Sequence, residues 1–547
     1  MRTPSRPDAD QVIVIGAGPV GQSAALLLAR WGIPVTVLDE RPGRDLVGSK
    51  AICQQRDVLD VWEAVGAGRL IADEGVTWER ARTYYRDHEL FCVTFPDRGR
   101  SVFPPFVNIS QSRTEEILDE RITASPLIDV RWAHEVTGIA QDGECATVTC
   151  RTPDGEWTLR APYVIACAGA RGEAVRRMLG LTFPGRSFDD HFLICDIRAD
   201  LVEWGNERRF YFDPKWNPGR QVLIHPCPGS TFRIDWQVPA DFDVAAERAS
   251  GALDRRIRQI IGDRPYDVVW SSVYRFHARL VDRMRVGRVL VAGDAAHLVA
   301  PFGARGLNSG VQDVENAAWK IAFVLNGWAP PALLDTYEVE RRAAAAENIE
   351  VTSRTMDFLV PQTEAAWQRR RDALHRALTD AAGRAEVDSG RLAEPFWYVD
   401  SPLTTPHSTR IFSGRPPRGE APPVVPGVLV PDVPVEVPDA PQVTRLREIV
   451  RDGLLVLTSG ETRAAAEVAG AATSAPLRVL SIADIDPTGL LAEALEARPG
   501  EAWVIRPDGH LAAVVAQDDA DALSGAIRRA LGAPATVRPG EAPVPSQ

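Results

Sequence analysis

Val12-Ile13-Val14-Ile15-Gly16-Ala17-Gly18-Pro19-Val20-Gly21 decides the fold of this chain. Four apolar residues read as a short buried strand, and three glycines at G-x-G-x-x-G spacing open onto a helical pattern of Ala24, Leu27, Leu28 and Trp31. Gly32 stops that helix, and a second apolar strand, Val35 to Leu38, ends at Asp39. Strand, glycine turn, helix and strand in this order make a dinucleotide-binding βαβ unit. Its glycines let the backbone approach a pyrophosphate at a helix N-terminus, and an acid about 20 residues on takes a ribose hydroxyl pair. Asp39, 23 positions after Gly16, holds that place and is better set than its neighbour Glu40; the alternative is a plain solvated strand end.

A second organised stretch is Gly293-Asp294-Ala295-Ala296-His297-Leu298-Val299-Ala300-Pro301-Phe302-Gly303-Ala304-Arg305-Gly306-Leu307-Asn308-Ser309-Gly310. It follows a buried-strand pattern, Arg288 to Ala292, and runs into a helix with apolar positions Val311, Val314, Ala318, Ile321 and Leu325. An aspartate at a strand end, a Pro-Phe turn and a glycine-rich helix entry with a cation form a binding site for something anionic or electron-rich. An ordinary strand-to-helix loop is the competing reading.

Between these stretches the pattern predicts a helix from Arg56 to Val65, short strands from Trp78 to Val107, and a helix through Glu115, Ile117 and Leu118. Strands follow from Val130 to Leu159, with a buried one at Tyr163 to Cys167. From Phe188 to Val238 alternation takes over: Phe192 to Ile197, Arg209 to Phe212, Gln221 to His225 and Thr231 to Val238. A helix from Asp254 to Ile261 and a strand from Val268 to Phe276 lead to the second stretch. After it come helices at Leu333 to Met356 and Glu364 to Ala385, then a stretch dense in proline and valine, and finally strands and a terminal helix, Ala520 to Leu531. The expected domains are 1–187 and 281–360 as two halves of a nucleotide-binding domain, with 188–280 an inserted sheet to which 76–107 contributes. A helical connection, 361–414, a proline-rich linker, 415–442, and a C-terminal module, 443–547, complete the chain.

The chain has 547 residues, 45% apolar and 25% charged, with a net charge of −12 and no run of five basic residues. Nucleic acid is therefore not an expected partner. Seven cysteines are scattered without C-x-x-C, and none follows Cys227, so neither a zinc site nor a disulfide framework is expected. No apolar run reaches about 18 residues and no secretory segment precedes Val12; a soluble cytoplasmic protein without membrane insertion is the expectation.

Three separated stretches together resemble the single-component FAD-dependent aromatic hydroxylases, the family of para-hydroxybenzoate and phenol hydroxylases. They are Gly16 to Gly21 with Asp39, Tyr163 to Arg176, and Gly293 to Gly310 with its helix. The chain is most similar to the branch of 3-(3-hydroxyphenyl)propionate hydroxylase and polyketide-tailoring hydroxylases, whose chains add a C-terminal thioredoxin-like module. The resemblance implies an α/β chain: a Rossmann-like FAD-binding domain, an inserted β-sheet substrate domain and a thioredoxin-like domain, here without redox cysteines. It implies FAD held at Gly16, Gly18, Pro19, Gly21 and Asp39, with Lys50, Gln111, Gly169, Asp294, Pro301 and Gly306 further along the cofactor and the amides of Leu307 and Asn308 at the flavin pyrimidine edge. It also implies NADPH or NADH as co-substrate, an aromatic substrate and molecular oxygen as small-molecule partners, and leaves a homodimer open. One departure stands out: the family reads Cys-Asp-Gly-Ala-Arg where this chain has Cys167-Ala168-Gly169-Ala170-Arg171, so a carboxylate associated with nucleotide handling is missing.

In this family a flavin hydroperoxide attacks an electron-rich carbon, and the protein supplies orientation, a dry pocket and charge control. A phenol with pKa near 10 is only about one part in a thousand phenolate at pH 7, and raising that to half takes about 4 kcal/mol. A base or donor is needed. His225 and Tyr211 in the inserted sheet, with Tyr274 and His277 before the return, are the catalytic or substrate-contacting candidates; Arg305 and Pro301 are candidates from the second stretch, and Trp236 and Phe302 for aromatic walls. A purely structural role is the alternative for each, because alternation shows that they share a sheet but not which face meets the cofactor. A Baeyer–Villiger-type enzyme, an alkene reductase and a non-catalytic flavin-binding interaction protein are the competing functions. The absence of Trp-x-Trp-x-Ile-Pro argues against a halogenase.

Overall fold

The computed structural model describes residues 11–45, 48, 51–94, 101–387, 394–416, 420 and 422–533. It divides into two compact units. The first comprises Met1–Arg98, Phe103–Glu315 and Arg342–Glu394, and the second Gly99–Val102, Asn316–Arg341 and Pro395–Gln547.

The first unit is built on a six-stranded sheet in the order Arg285–Val286, Val289–Val291, Tyr163–Ala166, Val12–Ile15, Val35–Leu38 and Ile128–Arg131. All but its first strand run parallel, with Val12 opposite both Val35 and Tyr163. Val12–Ile15, Val35–Leu38 and Tyr163–Ala166 are buried throughout, as parallel strands covered on both faces must be. Val130, expected to open a run of strands, sits in the edge strand of this sheet. The antiparallel strands proper are Glu135–Gln141, Ala146–Thr152 and Gly155–Ala161.

The second sheet has eight strands: His297–Leu298, Tyr266–Leu280, Gly185–Ala199, Thr231–Val238, Gln221–Cys227, Glu207–Phe212, Arg80–Tyr85 and His88–Thr94. One face buries Leu193, Ile197, Val222, Ile224, Ile234 and Trp236 against Leu253, Ile257 and Ile261 of the helix Ala252–Ile261. The other packs Phe192, Phe210, Phe212 and Leu223 against Ala300 and Phe302. The helix expected over Glu364 to Ala385 is two, Glu364–Ala377 and Ala381–Val387. Asp380 interrupts it: its carboxylate accepts from the Ala382 amide at 3.0 Å and caps the second piece, a role that competes with helix continuation. Gly383 lets the pieces meet, since a Cβ there would lie 2.7 Å from the Ala377 nitrogen.

The second unit holds a four-stranded sheet in the order Leu477–Ser481, Leu454–Thr458, Glu501–Ile505 and Leu511–Ala516. The first pair is parallel and joined through the helix Arg463–Ala472; the other pairs are antiparallel, and the helix Ala520–Ala530 follows. That is the thioredoxin-like order. The proline-rich stretch within 415–442, expected as a linker, corrects that expectation. Val433, Val435 and Val437 alternate into the same core as Leu455, Leu457 and Trp503, all nearly unexposed. Of the intervening residues, Pro434 carries no amide donor to leave unpaired, and the Glu436 amide donates to the Ile485 carbonyl at 2.9 Å.

This unit also buries a charge cluster. Lys320 Nζ lies 2.6 Å from Glu340 Oε2, and the Arg506 guanidinium spans both Glu340 oxygens at 2.5 and 3.0 Å while also donating to Asp508 at 3.1 and 2.5 Å. Asn316 and Ser401 complete the Glu340 shell, and Arg506 lies over the rings of Trp319 and Tyr398. Burial alone would raise the Glu340 pKa, but Arg506 and Lys320 outweigh it and hold the carboxyl far below its ordinary value. Its stabilisation is therefore complete above the unfolded carboxylate range near pH 4.3 and is lost as pH falls below it. Glu340→Gln, which strands the buried Lys320 and leaves Arg506 to Asp508 alone, is expected to cost about 3–5 kcal/mol in denaturant titration at pH 7. A loss under about 1 kcal/mol would show that the cluster does not hold this unit together.

Candidate cofactor and substrate site

The glycines of the first motif act through what they lack. Gly16 has φ +103°, and a Cβ there would lie 2.4 Å from the Cys167 carbonyl oxygen; a Cβ on Gly21 would lie 1.9 Å from the Gly16 oxygen. Gly18 is the N-cap of the helix Pro19–Arg30 and has open space around its Cα, with Pro19 in the first turn. Among the described residues no side chain caps that helix, so its first-turn amides and the positive end of its dipole stay available to an anion. These features fit a dinucleotide pyrophosphate. Gly169, at φ +68°, lies in the loop after Tyr163–Ala166.

Asp39 ends its strand as expected, 7% exposed, but its carboxylate is already engaged. Oδ2 accepts from the Ala17 amide at 2.8 Å and from Arg41 at 3.0 Å; Oδ1 accepts from the Arg41 amide and Nε, both at 2.9 Å. An ionised carboxylate offers about four acceptor directions, and these four bonds occupy them. Burial pushes its pKa up, and the Arg41 and amide hydrogen bonds overcome this to leave it below the ordinary value. Glu40 is exposed. Lys50 lies outside the described residues. Gln111 opens the helix Gln111–Thr123, accepts from the Ala51 amide at 3.1 Å and donates to Glu115 at 2.8 Å. Sequence reasoning missed Arg44, which joins the Ala17 carbonyl to Glu115 and Asp119 and so fixes the glycine turn on that helix. An arginine a few residues past Asp39, with acids one helical turn apart downstream, was the available signal.

In the second motif Gly293–Ala295 form a short 3₁₀ turn with Asp294 exposed. His297 and Asp313, neither with any exposure, meet at 2.7 Å, and the same Asp313 oxygen accepts from the Gly293 amide at 2.9 Å. Pro301 is exposed, and its carbonyl accepts the Ala304 amide at 3.0 Å across a turn where Gly303 and Ala304 have φ +83° and +56°. The helix Arg305–Leu325 begins there, placing Gly306 and Leu307 in its first turn, where amides lack intrahelical acceptors. Arg305 is 4% exposed and donates to Asn348 at 2.7 Å, so it is not a surface arginine. Asn308 works through its side chain: it accepts from the Gln55 amide at 3.0 Å and donates to the carbonyls of Cys53, at 3.0 Å, and Ala304, at 2.6 Å. Beside this clamp Gln54 is fully buried with neither polar atom partnered among the described residues.

Strand register settles the faces that alternation left open. Phe302 meets Phe192, Phe210 and Phe276 with ring centroids 5.9, 6.4 and 6.4 Å away, so one face of the eight-stranded sheet abuts the second motif. Leu223 and Phe210 are partners on that face, and His225 follows Leu223 by two; Tyr274 is opposite Phe192 and joins them. Tyr211 and Trp236 are opposite Val222, on the other face. Trp236 is unexposed in the core with Ile257, and Tyr211 stacks on Tyr84 at 4.6 Å. Neither reaches the motif face. His277 hydrogen-bonds Ser187 at 2.8 Å. Asp235, which sequence reasoning passed over, is opposite Leu223 and shares the face of His225. Burial, with Arg208 and Arg233 nearby, drives the His225 pKa well below its ordinary value and keeps the ring neutral.

Two substitutions test the cofactor end. Asp39→Ala removes a charged acceptor and is expected to weaken FAD retention on dilution by about 1–3 kcal/mol, while Glu40→Ala retains it. Asn308→Ala frees Cys53–Gln55 from the helix start, and flavin fluorescence released on mild heating should appear at lower temperature than in the parent. Equal FAD retention in all three variants contradicts this layout.

Residues 9–352 match the FAD binding domain family, and 424–534 match the C-terminal domain of aromatic-ring hydroxylases. A 3-(3-hydroxyphenyl)propionate/3-hydroxycinnamic acid hydroxylase of Comamonas testosteroni is 32% identical over 368 residues, 66% of this chain and 60% of that enzyme's length. The 6-methylpretetramide 4-monooxygenase of Streptomyces rimosus is 29% identical over 538 residues, 93% of this chain and 91% of that one. The crystal structure of the flavin-dependent monooxygenase PieE, solved with FAD and substrate, superposes with a TM-score of 0.81 at 24% identity, covering 97% of this chain and all of that one, and shows the shared fold. By these matches and by the geometry of its two motifs, the chain belongs to the family of FAD-binding aromatic-ring hydroxylases.

Proposed function

We propose that this chain is an NAD(P)H-dependent monooxygenase that hydroxylates a phenolic or polycyclic aromatic substrate. The observation that carries the reading is the meeting of Phe302 with a sheet face that combines aromatic rings and polar groups, directly beside the second motif. Bound FAD supplies electron transfer from the nicotinamide and activation of oxygen. Gly16, Gly18, Gly21 and Asp39 would hold its nucleotide end, and the backbone amides of Leu307 and Asn308 its electron-rich ring. Leu307 is where a helix dipole contributes about 0.3–2 kcal/mol toward negative charge, and the buried Arg305 adds to that field.

The chain's own residues do the rest. Phe192, Phe210, Phe276 and Phe302 exclude water and offer ring faces and edges to a planar substrate. His225, Asp235 and Tyr274 set the polarity of the same face. At Ala168 a methyl group stands where the family carries a carboxylate; Gly172, whose Cβ would lie 3.0 Å from Ala168 Cβ, leaves room for a larger side chain. NADPH docks without that acid, and Ala168→Asp is expected to lower its apparent KM.

The test is the FAD-loaded protein under NADPH and oxygen with a panel of phenols. A phenol that accelerates flavin reduction and emerges with one added oxygen atom on the ring supports hydroxylation. Oxygen inserted beside a carbonyl would establish Baeyer–Villiger chemistry instead, and flavin reduction indifferent to every aromatic compound would contradict both. Phe302→Leu, which keeps most of the volume, is expected to leave NADPH oxidation running while product per NADPH falls severalfold and peroxide rises. Unchanged coupling would remove Phe302 from the water-excluding wall.

A further inference from the structure

On the sheet face beside the second motif, two strands carry a polar pair that packing leaves open. His225 Nε2 and Asp235 Oδ2 are 4.0 Å apart, beyond hydrogen-bond distance. Their side chains keep 14% and 19% exposure, while His225 Nδ1 and Asp235 Oδ1 are buried with no partner among the described residues. A protonated Nδ1 would be a buried donor without an acceptor, so the proton belongs on Nε2, facing Asp235. A donor and a carboxylate oxygen at this separation accommodate one oxygen atom about 2.8 Å from each. The strand Phe106–Asn108 holds this edge in place, Asn108 donating to the Pro226 carbonyl at 2.8 Å.

We infer that Asp235 and His225 are the phenol-binding pair of this site: the hydroxyl of a neutral phenol donates to Asp235 Oδ2 and accepts from His225 Nε2–H. This rests on the hydroxylase reading and names the groups that ready its substrate. In the step itself the phenol O–H bond breaks and an Asp235 O–H bond forms. The electron pair stays on the phenolate oxygen, which remains hydrogen-bonded to His225 and activates the ring toward an electrophilic oxygen. The other ionisable groups facing the pair are Arg233, Arg208, Asp196 and Cys227, with Cys53 beside Cys227. Arg233 is held by Asp196 through two hydrogen bonds of 2.8 and 2.9 Å, yet with Arg208 it keeps positive potential at the phenolate position. Burial, partly offset by Arg233, pushes the Asp235 pKa up to about 7, where a carboxylate is a competent base near neutral pH.

The experiment compares 1-naphthol with its methyl ether, 1-methoxynaphthalene, binding to the FAD-loaded protein, read by perturbation of the flavin absorbance. The parent is expected to prefer the naphthol by about tenfold or more, the size of one charge-assisted hydrogen bond. The preference should grow as pH rises through 7, since only ionised Asp235 accepts the phenol proton. Asp235→Asn and His225→Gln are each expected to shrink the preference to within about twofold with full FAD occupancy. Asp235→Asn should also abolish the pH dependence, and Asp235→Glu should restore both. A preference absent from the parent, or unchanged in both variants, overturns the pair. Should the preference hold while no phenol is hydroxylated, the hydroxylase reading fails instead; hydroxylation without the preference leaves that reading standing and removes only the pair.

Discussion

Two backbone segments of the first unit meet where no side chain fits. The Gly16 carbonyl fills the space a Gly21 Cβ would take, and a Cβ on Gly310 would lie 3.1 Å from the Gly293 Cα and 2.7 Å from the Val20 side chain. The start of the helix Pro19–Arg30 is thereby pressed against both its own strand end and the second motif. An alanine at Gly21 must displace backbone, which is how interior packing turns one methyl group into a structural change. His297 and Asp313 lock the second motif from its other side, and Asn308 carries the position of the helix start on to Cys53–Gln55. The shape of the two motifs is thus set by close backbone approach and by hydrogen bonds of His297, Asp313 and Asn308 within the protein.

What could be read in advance followed from how local each signal is. The βαβ unit, the buried strands and the helix of the second motif depend on neighbours within a few residues, and the sequence pattern shows them. Faces and partners depend on register. Tyr211 and His225 both sit on alternating strands, but parity within one strand does not fix parity across four, and only the pairing of Tyr211 with Val222 sends it to the far side. Asp235 was overlooked for the same reason: one residue before Trp236, it faces the opposite way. The saturated carboxylate of Asp39 was illegible because Arg41 reaches back two residues, which strand and helix periodicities do not describe. Val433 to Val437 were masked by their prolines, a composition shared by linkers and by edge segments packed onto a core.

Buried polar groups appear in two conditions, partnered and unpartnered, and both occur in each unit. Around Glu340 every charge has an opposite charge or a hydrogen bond, the condition under which buried ions persist. Around His225, Asp235 and Gln54, polar atoms lie buried without partners on the side of the second motif. Folding tolerates such atoms where a ligand completes them.

The central claim is that substrate chemistry takes place on the His225 face of the eight-stranded sheet and not on the Tyr211 face. A crystal structure of the FAD-loaded protein soaked with 1-naphthol tests it most directly. The account predicts the naphthalene ring against Phe302, its oxygen between His225 and Asp235, and the flavin ring beside the first turn of the helix Arg305–Leu325. A ring bound on the Tyr211 and Trp236 face, or flavin density away from that helix start, would contradict it.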